Sequence, residues 1–487
     1  MHIRHYFLSL LCLFVVGVVS AQKSGKPAPK GHDIRVRLTN YESGELVLGF
    51  YFGDKPYVKD TARIGPDGYF RFSADTLLPC GVYLLVTKPD NSFIQVLLDD
   101  KNQQLTLTTD YKDAVAKMQV KGSEDNARFY AYLQYLGKMR PEADTLRAQM
   151  LRAAGNKADS LRFAAQIEAI DKQVRKYQKD LLEKYPQSMS AKIIRASLDV
   201  DIPDNLQGAD EKETQQKKYY WYRAHYFDNV DLADPCMLRS PVMHGRIEQY
   251  IGKIIPQHPD SINAELDRVL RLIRPSNETF KFYLIHYLNH YAKSNIVGMD
   301  ACYVHLAKNY YCTGSATWAN KEDLEKICDN ANRLQPLLVG KKAPNLTIKD
   351  RAGKPVTLWE VDAPFTVLFF WDPECGVCKK SAPFMVDFAK KYKEQGVKVI
   401  AICTAVTDKA PECWKSVEEK GFTDDLFINL NDPFLQSRYK TIYDVRTTPQ
   451  IYVLDRDKEI LVKRIGAEQL LQVMDDIIKF NQERKGR

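Results

Sequence analysis

The run Phe365-Thr-Val-Leu-Phe-Phe-Trp371, followed by Asp-Pro-Glu-Cys375-Gly-Val-Cys378-Lys-Lys380, constrains this chain more than any other stretch. A continuous apolar β run ends directly in a Cys-x-x-Cys that opens a helix. Cys375 falls at the helix N-terminus, where unpaired backbone N–H groups and the positive dipole end favour a thiolate over a thiol. Cys378 lies one turn later on the same helix, within reach of a mixed disulfide formed at Cys375. That is the layout of a thiol–disulfide redox site. Its main rival is half of a zinc site, and no second Cys-x-x-Cys or His-x-x-His follows at ligand spacing.

Two further features narrow the choice. Pro383 falls inside the helix that Cys375 opens, where it removes a hydrogen bond and produces a kink. Downstream, Thr447-Thr448-Pro449-Gln450 runs into Ile451-Tyr-Val-Leu-Asp455, a short strand introduced by a proline. Together these residues resemble the thioredoxin superfamily, and over residues 336–487 its periplasmic TlpA-like branch. The preamble of that branch is visible in Gly340-Lys-Lys-Ala-Pro-Asn-Leu346 and in Asp350 to Leu358, which reads as a β-hairpin around Gly353. Val397 to Cys403 reads as a buried parallel strand, Pro411 to Gly421 as a helix, and Glu468 to Phe480 as a closing helix, giving a β-α-β-α-β-β-α order.

The resemblance implies that the Thr448–Pro449 bond is cis, lies against the Cys-x-x-Cys, presents backbone to a bound polypeptide and keeps metals off the thiols. It assigns catalysis to Cys375 and Cys378 and substrate contact to Trp371, Thr448 and Pro449. There are departures. Phe369 stands where many thioredoxins carry a buried acid, so no proton acceptor for Cys378 is identifiable, and Ser381 stands where many TlpA-like proteins have Glu. Glu374 precedes Cys375, while Lys379 and Lys380 offer compensating charge.

Met1-His-Ile-Arg-His5, an apolar run from Tyr6 to Val19, and Val19-Ser-Ala21 have the three parts of a secretory signal peptide, read over residues 1–21. Cys12 is preceded by Leu11 rather than a small residue, which argues against a lipid anchor. The ten cysteines become nine without Cys12, an odd number that fits a working pair plus structural or free thiols. Cys302, Cys312 and Cys328 read either as including a disulfide or as buried small hydrophobes. Cys403 and Cys413 read as packing residues, with a thiol relay as the lesser alternative. The net charge of +8 comes from 70 basic and 62 acidic residues spread along the chain, which argues against nucleic acid as partner.

At 487 residues, two or three domains are expected. The fold class read from the sequence is multidomain α+β: a small N-terminal β-sandwich, an all-helical middle and a C-terminal thioredoxin-like α/β domain. Short β runs at Ile34–Leu38, Leu46–Tyr51, Tyr69–Phe72, Gly81–Val86, Phe93–Leu98 and Leu105–Leu107, punctuated by turns, make residues 31–112 the β-sandwich-like part. Residues 121–335 follow the helical period. Ser123 is an N-cap, Phe129, Leu133 and Leu136 form one face, and Phe163, Ile167, Ile170, Val174, Tyr177 and Leu181 form a heptad-like stripe ended by Pro186. The stripe is expected to pack within the chain, with a dimer as the lesser reading. His286 and His290, four apart, have the spacing of two metal ligands, but their neighbours Tyr283, Leu284, Tyr287 and Leu288 read as core and no metal is assigned. Tyr219 to Tyr222 with Tyr226 and Phe227 also read as packing. The whole arrangement resembles uncharacterised Bacteroidota periplasmic thioredoxin-like proteins, a likeness carried in the β region by Tyr51 to Tyr57 and Asp60 to Ala62.

The expectation is therefore an exported, periplasmic thiol–disulfide oxidoreductase without cofactor. It reduces or isomerises protein disulfides and is recharged by an upstream thiol electron donor. A peroxiredoxin-like peroxidase, and a non-catalytic envelope binding or assembly protein with a structural Cys375–Cys378 disulfide, are the alternatives.

Overall fold

The computed structural model describes residues 31–485, so the signal peptide read over residues 1–21 lies outside the described residues. The chain divides into two compact units, Met1–Ile194 and Arg195–Arg487.

Among its described residues the first unit holds eight strands, β1 (His32–Thr39), β2 (Glu45–Phe52), β3 (Lys55–Arg63), β4 (Phe70–Ala74), β5 (Gly81–Thr87), β6 (Phe93–Leu98), β7 (Gln103–Asp110) and β8 (Gln119–Lys121). They form two four-stranded sheets, ordered β4-β1-β7-β8 and β3-β2-β5-β6. In β1 the alternation read from the sequence is a real facing pattern: Ile34, Val36 and Leu38 are buried while Arg35 and Arg37 are exposed. Hydrophobic patterning missed the short β8 and the longer β3. β3 lies at a sheet edge, every residue but Ala62 is exposed, and its Lys and Pro residues suit an edge that must not recruit another strand.

After the strands come α1 (Glu124–Arg152), α2 (Lys157–Lys184) and α3 (Met189–Ser197), within which the boundary between the units falls. Ser123 caps α1, its hydroxyl accepting the Asn126 N–H at 3.2 Å. The heptad-like stripe of α2 is its covered face. Ile170 and Leu181 are buried, and the Tyr177 ring lies 6.0 Å and 4.6 Å from those of Tyr132 and Tyr135 on α1.

The second unit begins with α4 (Glu211–His225), α5 (Pro241–Gln249), α6 (Pro259–Ile273), α7 (Asn277–Ala292), α8 (Asp300–Leu306) and α9 (Lys321–Leu334). Tyr226 and Phe227 pack on Tyr250, with ring centroids 5.1 Å and 4.8 Å away. Cys312 and Cys328 are joined in a disulfide, and Cys302 is a buried free thiol.

The same unit continues through β9 (Thr347–Lys349), β10 (Pro355–Thr357), β11 (Phe365–Trp371), α10 (Gly376–Tyr392), β12 (Lys398–Cys403), α11 (Ala410–Glu419), β13 (Phe427–Asn431), α12 (Tyr439–Ile442), β14 (Gln450–Asp455), β15 (Ile460–Lys463) and α13 (Leu470–Lys485). β9 and β10 form the hairpin expected around Gly353, whose φ of +81° a side chain would resist. The main sheet is five-stranded, ordered β13-β12-β11-β14-β15, with β11 parallel to β12 and antiparallel to β14. It has one strand more than the order read from sequence. The Phe-Ile-Asn-Leu-Asn run of β13 carries two asparagines, poor strand formers, which the fold nonetheless buries.

β11 explains why this sheet is sandwiched. Val367, Phe369 and Trp371 face one apolar core, shared with α10, α11 and α13. Leu368 and Phe370 face another, shared with Tyr439, Tyr443 and Leu454. Cys403 and Cys413, read as separate packing residues, are bonded to each other. The correction has a simple cause: α11 lies back over the end of β12 and brings side chains ten positions apart together. Among the described residues, no helix is long and apolar enough to cross a membrane.

Candidate active site

The central strand β11 delivers the chain to one end of the sheet, and α10 starts there with Cys375 as its N-cap residue. The Cys375 sulfur takes the place usually held by a capping oxygen and accepts the Cys378 N–H at 3.1 Å. The backbone N–H of Cys375 itself donates to the Asp372 carbonyl at 3.3 Å, which closes the turn between strand and helix. α10 runs through Pro383 to Tyr392.

The Thr448–Pro449 peptide is cis, and the Thr448 carbonyl accepts from the Cys375 thiol at 3.2 Å. Cys375, Cys378, Thr448 and Pro449 are thus brought into one place from segments about 70 residues apart. Trp371 is not with them on the surface. Its side chain is 1% exposed, packs edge-on against Phe422 at 5.3 Å and belongs to the core under the site.

The two sulfurs differ in environment. Cys378 is buried, 2% exposed, and its thiol is pushed up to about 12, first by burial and then by the neighbouring Cys375. For Cys375, partly exposed, burial acts upward, but hydrogen bonds from the Cys378 thiol and N–H, together with Thr448 and the Val377 N–H, outweigh it and hold the thiol below its usual value. Cys375 is therefore the more readily ionised of the two sulfurs.

Phe369, in the position where an acid was sought, is fully buried and packs edge-on to Phe422 at 6.1 Å. Ser381 is likewise buried. Glu374 is paired with Lys409 at 2.7 Å, a partner 35 residues away that spacing did not suggest in place of Lys379 or Lys380. Asp372 accepts the Glu374 N–H at 2.9 Å and the Thr404 hydroxyl at 3.2 Å, tying the turn before Cys375 to the segment after β12.

Sequence reasoning also missed what holds the Thr448 segment. Asp444, 6% exposed with φ of +46°, receives Arg446 at 2.9 Å and Arg464 at 3.0 Å. Arg446 reaches on to Asn330 of α9 at 3.1 Å. Gln450 donates to the Tyr443 carbonyl at 2.9 Å and to the Tyr452 hydroxyl at 2.7 Å. The segment entering the cis bond is therefore fixed at both ends by buried polar contacts. Charged residues three to fifteen positions from the proline carry no local signal for this.

Comparison with known proteins agrees with this geometry. Residues 339–463 match the AhpC/TSA family, residues 32–129 a domain of unknown function (DUF4369) and residues 162–336 another (DUF5106). The chain is 28% identical over 145 residues to the thiol-disulfide oxidoreductase ResA of Bacillus thuringiensis, a match covering 30% of this chain and 79% of that protein. Among solved structures, the domain of a possible thiol-disulfide isomerase from Cytophaga hutchinsonii is 37% identical, with a TM-score of 0.28 covering 31% of this chain and 99% of that one. A thioredoxin-like protein from Bacteroides caccae is 17% identical, with a TM-score of 0.43 covering 57% of this chain and 96% of that one. With a strand-to-helix turn carrying two unlike thiols, in a region that matches both the family and ResA, residues 339–463 form an AhpC/TSA thioredoxin-like domain and the chain is a thioredoxin-like thiol–disulfide oxidoreductase.

Proposed function

We propose that this protein is exported to the periplasm and there reduces or isomerises disulfides of envelope proteins through Cys375 and Cys378. The observation that carries the reading is the contrast between the two sulfurs. Cys375 is partly exposed, capped by the Cys378 N–H and lowered in pKa, while Cys378 is buried and raised. The Cys375 thiolate attacks one sulfur of a substrate disulfide; the Cys375–substrate bond forms as the substrate S–S bond breaks, and the departing thiolate takes a proton from water. Cys378 then loses its proton and attacks the Cys375 sulfur. This closes a Cys375–Cys378 disulfide and releases the substrate's second thiol. The substrate gains two electrons and two protons, and an upstream dithiol donor returns the same to the enzyme.

Thr448 and Pro449 hold the substrate backbone in this reading, supported by the Thr448 carbonyl standing 3.2 Å from the Cys375 sulfur. Trp371 contributes from beneath, as the apolar floor of the site. The test is a Cys378→Ser trap exposed to envelope extracts. Covalent partners that are released by reductant and lost in Cys375→Ser support the proposal; a trap that captures nothing removes it.

A further inference from the structure

Away from the redox site, α5 and α7 bring together three side chains with metal-binding atoms. His244 and Glu248 are four residues apart on α5 and so share one face, and His286 comes from α7. Each offers one ligand atom, and the three atoms all lie within 4.8 Å of one another. The His286 Nε2 to Glu248 Oε1 separation is 3.1 Å. Donors about 2.0–2.1 Å from a tetrahedral zinc ion stand roughly 3.3 Å apart, so this edge of the site is already close to the spacing a metal requires.

The surroundings hold these groups in place. The Tyr287 hydroxyl donates to the same Glu248 oxygen at 2.8 Å, the kind of outer hydrogen bond that orients a ligating carboxylate. The His286 ring is stacked on Phe282 at 5.9 Å and meets the His244 ring edge-on at 5.2 Å. All three ligand-bearing residues are half-buried, which limits competition from water without sealing the site. His290, the partner that spacing suggests for His286, is exposed, its ring centroid 6.5 Å away and outside the group. Two imidazoles and one carboxylate form a nitrogen and oxygen donor set of the kind zinc takes with three protein ligands.

We propose that His244, Glu248 and His286 bind one divalent transition-metal ion of the zinc type, with the fourth position left to water. The ion cross-links α5 to α7, exchanging the His286–Glu248 hydrogen bond for bonds from both residues to the metal. This site is independent of the redox thiols and stands or falls separately from them.

The experiment is a calorimetric titration of the full chain with Zn²⁺ alone, in a Cys375→Ser, Cys378→Ser background so that the redox thiols contribute no binding. One equivalent per chain is expected, weakened by roughly 100-fold or more in His244→Ala and in His286→Ala, and unchanged in His290→Ala. Co²⁺ in place of Zn²⁺ should give the visible bands of a four-coordinate nitrogen and oxygen site. If His286→Ala fails to fold by circular dichroism, Glu248→Gln, which keeps shape and a hydrogen-bond acceptor for Tyr287, takes its place. Absence of stoichiometric binding overturns the proposal, as does binding that survives loss of His244 and of His286 (or the Glu248→Gln variant in its place), or binding that depends on His290.

Discussion

Two cysteine pairs sit at the same end of one sheet, yet they are chemically opposite. Trp371, four residues before Cys375, is the register partner of Cys403, so β11 and β12 deliver their cysteines side by side. Cys375 and Cys378 are free thiols; Cys403 and Cys413 form a disulfide that is 2% and 0% exposed at its two residues. The first pair lies at a helix N-terminus with N–H donation to a partly exposed sulfur. The second is enclosed in the apolar core shared with Phe422 and Phe427. Position on the sheet does not confer reactivity. Thiolate stabilisation and access to a partner do.

Removing the Cys375 sulfur on the one hand and the whole buried pair on the other breaks the comparison most sharply. Cys375→Ser is expected to reduce turnover of a model protein disulfide to the uncatalysed background. The Cys403→Ala, Cys413→Ala double variant should keep turnover within about threefold while losing roughly 2–4 kcal/mol of stability in urea unfolding. Equal loss of turnover in both would mean that the buried pair takes part in the chemistry. The next largest difference is in redox poise. Mass spectrometry after equilibration in thiol buffers should show Cys375 and Cys378 opening reversibly between about −270 and −120 mV, with Cys403–Cys413 still closed at those potentials.

The pH dependence separates the two sulfurs of the Cys-x-x-Cys. Cys375 is lowered, so its alkylation rate should reach half its plateau below the roughly 8.5 of a free cysteine. Cys378, raised to about 12, should remain unmodified across that range in the native protein. Because its folded value lies above its unfolded one, its contribution to stability is complete below about 8.5 and is lost as pH rises towards 12. The smallest effect belongs to Lys409→Ala. It leaves Glu374 uncompensated beside Cys375 and should move the alkylation midpoint slightly upward at low salt. In about 1 M salt the shift should vanish, because both charges are exposed; a shift that persists would show that they interact away from solvent.

Much of the site was legible because its signals are local. The β11 run, the Cys-x-x-Cys, Pro383 and Thr448-Pro449 each declare a strand, a helix start, a helix proline or a turn within a few residues. The Asp444 contacts, the Glu374–Lys409 pair and the Cys403–Cys413 bond were not legible, since each joins residues that only chain folding brings together. β3 escaped for a different reason: an exposed edge strand has no buried face, so no hydrophobic alternation marks it.

By itself, the sequence determined most of the element types and placed a Cys-x-x-Cys at a helix start, because backbone preference and the dipole at a helix start act over a few residues. Only the tertiary structure decided which cysteines are free, which are bonded, and which thiol is lowered in pKa and which raised. Those outcomes depend on burial, over a floor formed by Trp371 and Phe422, and on contacts with distant segments, the Thr448 carbonyl that accepts from the Cys375 thiol among them. Desolvation and hydrogen bonding set a thiol's ionisation, and neither exists until the chain has packed.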